Sequence, residues 1–160
     1  MAEVERDWWK ENGVIKTGVA VHWLLALMLI GWAGATPAQV KSVSAADATA
    51  IRAVVEAQLD AFAQDDAGKA FALAAPQIQL MFGNAQTFMR MVKTGYPAVY
   101  RPASVIFLKP EVIDGDTMQL VQLSDQEGVV WIAAYRMQQQ NDKQWRINGC
   151  ELEKSAGRVT

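Results

Sequence analysis

Histidine is almost absent from this sequence of 160 residues, since His22 is the only one. It lies in an apolar segment near the N-terminus that we expect to be removed from the mature protein. The remaining chain would then contain no histidine. That excludes Ser-His and Cys-His nucleophilic catalysis, and also zinc sites with histidine ligands. Several common enzyme classes are therefore excluded by composition alone.

Cysteine is equally rare, because Cys150 is the only one in the chain. A single thiol cannot form an intrachain disulfide or a cysteine-rich metal site. A thiol nucleophile also needs a base or a cation nearby to lower its pKa, and no histidine is available. A small buried hydrophobic side chain on a strand is therefore the simpler interpretation of Cys150. We expect neither a metal nor a cofactor.

A strong charge of either sign is also missing. The chain has 15 Lys and Arg against 17 Asp and Glu, and its basic residues are scattered singly. Nucleic-acid binding needs a basic patch, so we expect no nucleic acid as a partner. The hydrophobic fraction of 51% and the charged fraction of 20% are typical of a globular protein and exclude general disorder. The length fits one domain with a possible appendage.

One apolar run, residues 18–35, indicates a signal peptide. Lys16 precedes it and small residues follow it, so cleavage is expected near Ala35 or Ala38. The mature protein would then be periplasmic or secreted. The alternative is an uncleaved segment that anchors the protein in the inner membrane, although the run is short for a span. Residues 1–17 are more acidic than basic, unlike a signal n-region, and a translation start further along the chain would explain this.

Residues 36–44 are predicted to be a linker, and residues 45–155 the folded domain. Ser44 is a suitable N-cap for a first helix that begins at about Ala45. Gln58 lies within the apolar face of this helix. Since burying an unpaired amide costs a few kcal/mol, its side chain should either bond to backbone or face a cavity. The apolar residues of that face recur at helical spacing: Ile51, Val54, Val55, Leu59 and Phe62.

Two further helices are predicted before the strands begin. Asp65 and Asp66 would cap the second helix, which is a more common role for such a pair than acid–base catalysis. Pro76 would end that helix. Residues 78–82 would form either a short extended piece or a helical turn. Asn84 would cap the third helix.

After Pro102 the apolar residues alternate as in β-strands. The pattern predicts four antiparallel strands, with a β-bulge at Asn148-Gly149 where the alternation changes phase. Three N-terminal helices packed on a curved four-stranded antiparallel sheet place the domain in the α+β class. The predicted strands cover residues 104–114, 118–123, 129–138 and 145–154.

Three stretches carry a resemblance to a known family: VVEAQLDAFAQDD, FMRMVKTGYPAVYRPASV and WRINGCELEK. They resemble an uncharacterised bacterial family known only as a domain of unknown function. The order of helices and strands resembles the nuclear transport factor 2-like, or SnoaL-like, fold, a cystatin-like cone. The resemblance covers about residues 48–154. It implies this fold and a secreted or membrane-attached bacterial protein, and it implies no activity.

In a fold of this shape the sheet curls around the first helix and leaves an apolar cavity, which is a natural ligand site. Trp131 and Tyr135 could line that cavity, or they could fill the core instead. Arg101 could bind an anionic group with its planar fork, or it could pin its loop by bonding to carbonyls. The candidate ligand-binding residues share a predicted place inside the cavity or at its rim: Gln58, Trp131 and Tyr135 inside, and Tyr96, Tyr100 and Arg101 at the rim.

The expected function is non-catalytic binding of a small apolar or amphipathic ligand, or of a protein partner. One alternative is a SnoaL-like enzyme that performs acid–base chemistry in the cone pocket. Such an enzyme needs an Asp or Glu inside the cone, and the pattern places the carboxylates at caps, in turns or on the outer face. A second alternative is a scaffold that forms a homodimer through the sheet and takes no ligand.

Overall fold

The structure, a computed structural model, describes residues 42–155. The predicted signal peptide, its cleavage sites and most of the predicted linker therefore lie outside the described residues. Within residues 42–155, no helix is both long enough and apolar enough to cross a membrane. This part of the chain is α+β, with helices that precede and pack against one antiparallel sheet.

The described chain contains five helices and five strands, where three helices and four strands were predicted. The helices are α1 (Ala45–Ala63), α2 (Ala67–Ala72), α3 (Pro76–Phe82), α4 (Ala85–Gly95) and α5 (Pro97–Tyr100). The strands are β1 (Ser104–Phe107), β2 (Glu111–Ile113), β3 (Asp116–Ser124), β4 (Val130–Gln139) and β5 (Trp145–Lys154). The sheet order is β1-β3-β4-β5, and β2 pairs with β3 on the same side as β1.

Helix α1 begins where the sequence predicted. The Ser44 hydroxyl accepts a hydrogen bond from the backbone N–H of Asp47 at 3.1 Å, and the Asp47 carboxylate adds negative charge to the first turn. The helix packs against β5. Its predicted inward face is confirmed, because Ile51, Val55, Leu59 and Phe62 are buried and Val54 is half-buried.

The prediction that Pro76 ends a helix was wrong. Helix α2 stops at Ala72, and Pro76 occupies the first turn of α3, where its fixed φ is favourable and its missing N–H is not needed. The preceding residue, Ala75, is extended, as the proline ring requires. Its N–H donates to the carbonyl of Ile147 at 2.8 Å, so this link between the helices is tied to β5. The ambiguous residues 78–82 are thus helical.

The predicted third helix exists as α4. The Asn84 side chain accepts a hydrogen bond from the N–H of Thr87 at 2.9 Å, which confirms Asn84 as its cap. The Phe88 ring packs between three other rings, with centroid distances of 6.1 Å to Phe62 and 5.5 Å to both Phe71 and Phe82. Helices α1, α2, α3 and α4 therefore meet in one aromatic cluster under the sheet.

Pro110 divides the predicted first strand into two. Strands β1 and β2 flank it, and both pair with β3, which agrees with the rule that proline is confined to edges and interruptions of a sheet. The hairpin into β3 turns at Asp114 and Gly115, both with positive φ, as expected for a tight turn between twisted strands.

The predicted β-bulge in the last strand is confirmed. Arg136 pairs with Gly149, whereas the next residue, Met137, pairs with Ile147, so Asn148 is the extra residue. The bulge has a consequence for the interior. The extra residue shifts the alternation of inward and outward side chains by one position. Ile147 and Cys150 therefore line the same cavity although they are three positions apart.

Candidate functional site

Two separate spaces contain the six predicted site residues: an interior cavity of about 50 Å³ and an outer groove of about 500 Å³. The interior cavity lies between the helices and the sheet, and the outer groove lies between the α4–α5 turn and the β3–β4 turn. Tyr96 lines both spaces. Of the others, Gln58 and Tyr135 line the cavity, while Tyr100, Arg101 and Trp131 line the groove.

Gln58 was predicted either to bond to backbone or to face a cavity, and it does both. The side chain is buried on α1, and its Nε2 donates a hydrogen bond to the carbonyl of Ala70 at 3.1 Å. This bond ties α1 to α2. The same side chain also forms part of the wall of the interior cavity.

Tyr135 is fully buried on β4, and its hydroxyl has no hydrogen bond of normal geometry within residues 42–155. Its cross-strand neighbours are Gln119 on β3 and Cys150 on β5. Loss of contact with water raises the pKa of the Tyr135 phenol well above its ordinary value, and the nearby Cys150 thiol raises it further. The phenol is therefore neutral and available as a hydrogen-bond donor.

Cys150 fits the interpretation as a small hydrophobic residue. It packs against the core, and loss of contact with water raises the pKa of its thiol to about 12. A thiol with such a pKa is protonated at neutral pH and is a poor nucleophile. Tyr135 and Cys150, which line the interior together with Gln58, are thus held in their neutral forms.

The prediction that Asp65 and Asp66 together cap α2 was half wrong. Asp66 is the cap, since its carboxylate accepts a hydrogen bond from the N–H of Lys69 at 2.9 Å. Asp65 instead adopts a left-handed conformation with φ of 57°. That conformation is uncommon for a residue other than glycine, and residues held in it often lie at functional sites.

The Asp65 carboxylate organises the rim of the outer groove. It lies 2.7 Å from Nζ of Lys93 and 2.8 Å from Nη2 of Arg101, and it accepts a hydrogen bond from the Tyr100 hydroxyl. Both cations also lie 5.0 Å from the centroid of the Tyr100 ring. Two roles were predicted for Arg101, binding an anionic group or fixing its loop through carbonyls. The side chain does fix its loop, but it bonds to the Asp65 carboxylate.

These contacts explain the electrostatics of the rim. The hydrogen bond from Lys93, followed by that from Tyr100, lowers the pKa of Asp65 from 3.8 to about 2. The pKa of Lys93 is raised, chiefly by its hydrogen bond with Asp65. The cluster therefore stays fully charged at neutral pH, with one carboxylate against two cations.

Trp131 lies in the opposite wall of the outer groove, and its predicted place inside the cavity was wrong. Its indole Nε1 donates to Oδ2 of Asp125 at 2.8 Å. The other carboxylate oxygen of Asp125 accepts backbone N–H bonds from Glu127 at 3.1 Å and Val129 at 2.8 Å. The hydrogen bond from Trp131 is the largest cause of a lowered pKa for Asp125. A turn residue thus fixes the orientation of a half-buried aromatic ring.

Sequence reasoning missed Asp65, Lys93 and Asp125 as part of this site. Asp125 had a local signal, because an aspartate that begins a turn commonly bonds to the N–H groups just after it. Asp65 had none, since its partners lie 28 to 36 positions further along the chain. Within residues 42–155 no cluster of His, Cys, Asp and Glu side chains is arranged to hold a metal ion.

Comparison with known proteins identifies the family. No curated protein and no solved structure matches the chain significantly. Residues 44–160 match a family described as Domain of unknown function (DUF4864), which agrees with the resemblance to an uncharacterised domain family. This match covers most of the chain, and the chain therefore belongs to the DUF4864 family.

Proposed function

We propose that this domain is a non-catalytic binding protein that takes a small apolar or amphipathic molecule into the outer groove. The observation that carries the proposal is the arrangement of the two groove walls. Tyr100 and Arg101 on one wall are held by Asp65, and Trp131 on the other wall is held by Asp125.

The size of the outer groove supports this proposal. Ligand sites for small organic molecules occupy roughly 300–1,000 Å³ and combine apolar surface with a few fixed polar groups. The groove, at about 500 Å³, falls in that range, and Tyr96 and Leu152 add apolar surface to its walls. The interior cavity, at about 50 Å³, is far below it.

The two aspartates favour binding in a further way. A side chain that must be ordered when a ligand arrives costs binding free energy, about 0.5–1.5 kcal/mol for each flexible side chain. Asp65 and Asp125 restrict the groove side chains before any ligand is present. An aromatic or aliphatic body would lie between Tyr100 and Trp131, and a polar end would reach the exposed guanidinium of Arg101.

The carboxylates of the groove give little support to the alternative of an acid–base enzyme. A general base works best with a pKa near the operating pH. The pKa values of Asp65 and Asp125 are both lowered, and both carboxylates already accept several hydrogen bonds. No carboxylate is among the described residues that line the interior cavity. These observations rank binding above catalysis.

The proposal includes the cone fold and the secreted location. The helices packed on one face of a five-stranded antiparallel sheet, with a cavity between the two layers, are compatible with the nuclear transport factor 2-like fold. The apolar run of residues 18–35 supports export to the periplasm or beyond. N-terminal sequencing of the protein from bacterial cells should find a mature chain that begins just after Ala35 or Ala38. An intact Met1 in membrane fractions would support the anchored form.

Fluorescence titration of the full chain with anilinonaphthalene sulfonate tests the groove. This dye has an apolar ring system and an anionic group, so it should bind between the walls with its sulfonate near Arg101. Arg101→Gln should weaken binding about tenfold, because a hydrogen bond to a charged group is worth about 1.5 kcal/mol. Trp131→Ala should weaken it by a similar factor through lost ring contact.

The matched control is Arg52→Gln, the same chemical change on the exposed side of α1, where Arg52 approaches Glu56 at 4.0 Å. It should leave the affinity unchanged. Thermal melts would establish that every variant is folded, because this dye also binds partly unfolded proteins. Equal loss in Arg101→Gln and Arg52→Gln, or no loss in either, would contradict the proposed site.

A homodimer is the second candidate, and one observation favours it. Strand β1 is an edge of the sheet, and its Val105 and Ile106 side chains are exposed, with Ile106 at 52%. Exposed apolar edge strands tend to pair with another chain. Light scattering should show twice the mass of one chain, and Ile106→Lys should return it to the monomer. A monomeric wild-type protein at high concentration would exclude this candidate.

A further inference from the structure

The interior cavity contains a feature that packing alone does not explain. The Tyr135 hydroxyl is completely buried. It interacts with the neighbouring Cys150 thiol, but within residues 42–155 it has no hydrogen bond of normal geometry. Leaving a buried donor unsatisfied is unfavourable, and such groups are rare in folded proteins. A phenylalanine would fill the same volume without this cost. We therefore expect the hydroxyl to bond to an acceptor that does not belong to residues 42–155.

The walls of the cavity restrict the charge of that partner. No charged side chain is among the described residues that line it. The polar side chains among the described residues that line it are those of Gln58, Tyr96, Tyr135 and Cys150. Burying an ion without a counter-charge is strongly unfavourable, so a carboxylate or an ammonium group would be rejected. The partner must be neutral.

The volume and the remaining lining restrict its size and polarity. A water molecule needs a cavity of roughly 10–15 Å³, and a cavity of roughly 150 Å³ holds benzene. At about 50 Å³, the interior has room for a body well below the size of an aromatic ring. The side chains around it are mainly apolar: Phe62, Ile78, Phe82, Phe88, Val92 and Ile147.

We propose that the interior cavity is a second binding site, which takes a neutral molecule of roughly four non-hydrogen atoms with an apolar body and one oxygen that accepts a hydrogen bond from the Tyr135 hydroxyl. Small ketones, aldehydes and alcohols have this chemistry. Entry is available beside α3 and α4, because Phe82 and Met91 line the cavity and are only half-buried. Methionine side chains adapt readily to a passing ligand. This site does not depend on the outer groove.

Three probes of one shape test the chemistry. Acetone, acetate and isobutene have nearly the same size, but only acetone is both neutral and a hydrogen-bond acceptor. Each would be titrated into the isotope-labelled full chain while amide NMR signals are followed. Acetone should shift the signals of Tyr135 and Cys150 with a dissociation constant of about 1 mM or weaker, since so small a ligand has few contacts. Acetate should leave these signals in place.

Tyr135→Phe tests the residue. This variant should remain folded, because only an unsatisfied buried hydroxyl is removed. It should bind acetone about tenfold more weakly, the effect of one neutral hydrogen bond, and should bind isobutene as well as wild type does. The matched control is Trp145→Phe, which removes an aromatic N–H donor that bonds to Asp47 and lines neither space. It should leave the affinity for acetone unchanged.

Three results would overturn the proposal. If acetone shifts no interior signal even at high concentration, the cavity does not bind a small neutral hydrogen-bond acceptor. If wild type and Tyr135→Phe bind acetone equally, or if acetate binds as well as acetone, the hydroxyl does not select the ligand. None of these results would bear on the outer groove, because Tyr135 does not line it and the dye titration does not depend on it.

Discussion

The outer groove and the interior cavity share Tyr96 as a wall residue. They differ in how the other aromatic side chains with a hydrogen-bond donor are bonded. In the groove, the Tyr100 hydroxyl donates to Asp65 and the Trp131 indole donates to Asp125. In the cavity, the Tyr135 hydroxyl is buried without such a partner. The groove therefore uses its hydrogen bonds to position side chains, whereas in the cavity a buried donor lacks a hydrogen bond of normal geometry.

The comparison also separates stability from binding. Ion pairs and hydrogen bonds at the partly exposed rim are screened by water and contribute little to stability, although they fix geometry. Most side chains around the cavity are buried, so truncating one of them lowers the free energy of unfolding directly. Substitutions in the cavity should therefore act mainly on stability, and those in the groove mainly on ligand affinity.

The largest expected effect comes from Phe88→Ala in the wall of the cavity. Phe88 is buried and its ring packs on three other rings, so truncation should lower the free energy of unfolding by about 4 kcal/mol. Urea denaturation followed by circular dichroism measures this value. Trp131→Ala in the groove should cost clearly less, since Trp131 is only half-buried. Equal costs would contradict the distinction between the two regions.

A second large effect concerns the Cys150 thiol. Burial raises its pKa to about 12, so at mildly alkaline pH almost none of it is thiolate in the folded protein. An aromatic disulfide reagent should react at least about a hundredfold more slowly with the folded chain than with the chain in urea. The rate is read from the absorbance of the released thiol. A fast reaction without denaturant would show that the cavity wall opens readily.

Much of the fold could be predicted because its signals are local. Ser44 and Asn84 bond to backbone groups three residues away, and the bulge at Asn148 changes the alternation within one strand. The break at Pro110 had a local signal as well, although its effect, two strands in place of one, depends on pairing with β3. Pro76 was misjudged because the same residue can end one helix or begin the next.

The site was harder to predict because its contacts are distant in sequence. Asp65 bonds to residues on α4 and just after α5, and no local sequence pattern predicts those partners. Gln119 was hidden for another reason. It is a buried polar residue on the inner face of β3, where its Nε2 donates to the carbonyls of Leu108 and Leu120, and it interrupts the apolar alternation of that strand. A polar side chain that bonds to nearby carbonyl groups can be buried among apolar residues, and a hydrophobic pattern does not predict this.

A smaller effect is expected from Tyr135→Phe when no ligand is present. Removing a buried hydroxyl that lacks a hydrogen bond should raise the free energy of unfolding by about 1 kcal/mol. Urea denaturation of both proteins in ligand-free buffer measures the difference. A loss of stability of similar size would mean that the hydroxyl is satisfied in solution, which would weaken the contrast with Tyr100 and Trp131.

The smallest effect is expected at the rim, and pH reveals it. The pKa of Asp65 is lowered from 3.8 to about 2, so its ionised form is favoured by folding. The stability that it contributes is fully present above its ordinary pKa and is lost as the pH falls toward and below about 2. Asp65→Asn removes this contribution at every pH. Its melting temperature should therefore lie slightly below that of wild type at neutral pH, and the two should converge as the pH falls from about 4 to about 2.

The matched control for this change is Asp60→Asn, on the exposed side of α1, which should follow wild type across the whole range. Other carboxylates are also protonated in acid, but wild type and Asp65→Asn share all of them, so the difference between these two melting curves isolates Asp65. A difference between wild type and Asp65→Asn that persists unchanged below pH 2 would mean that the aspartate acts through its left-handed backbone and not through its charge. Because asparagine tolerates that backbone conformation well, we expect convergence.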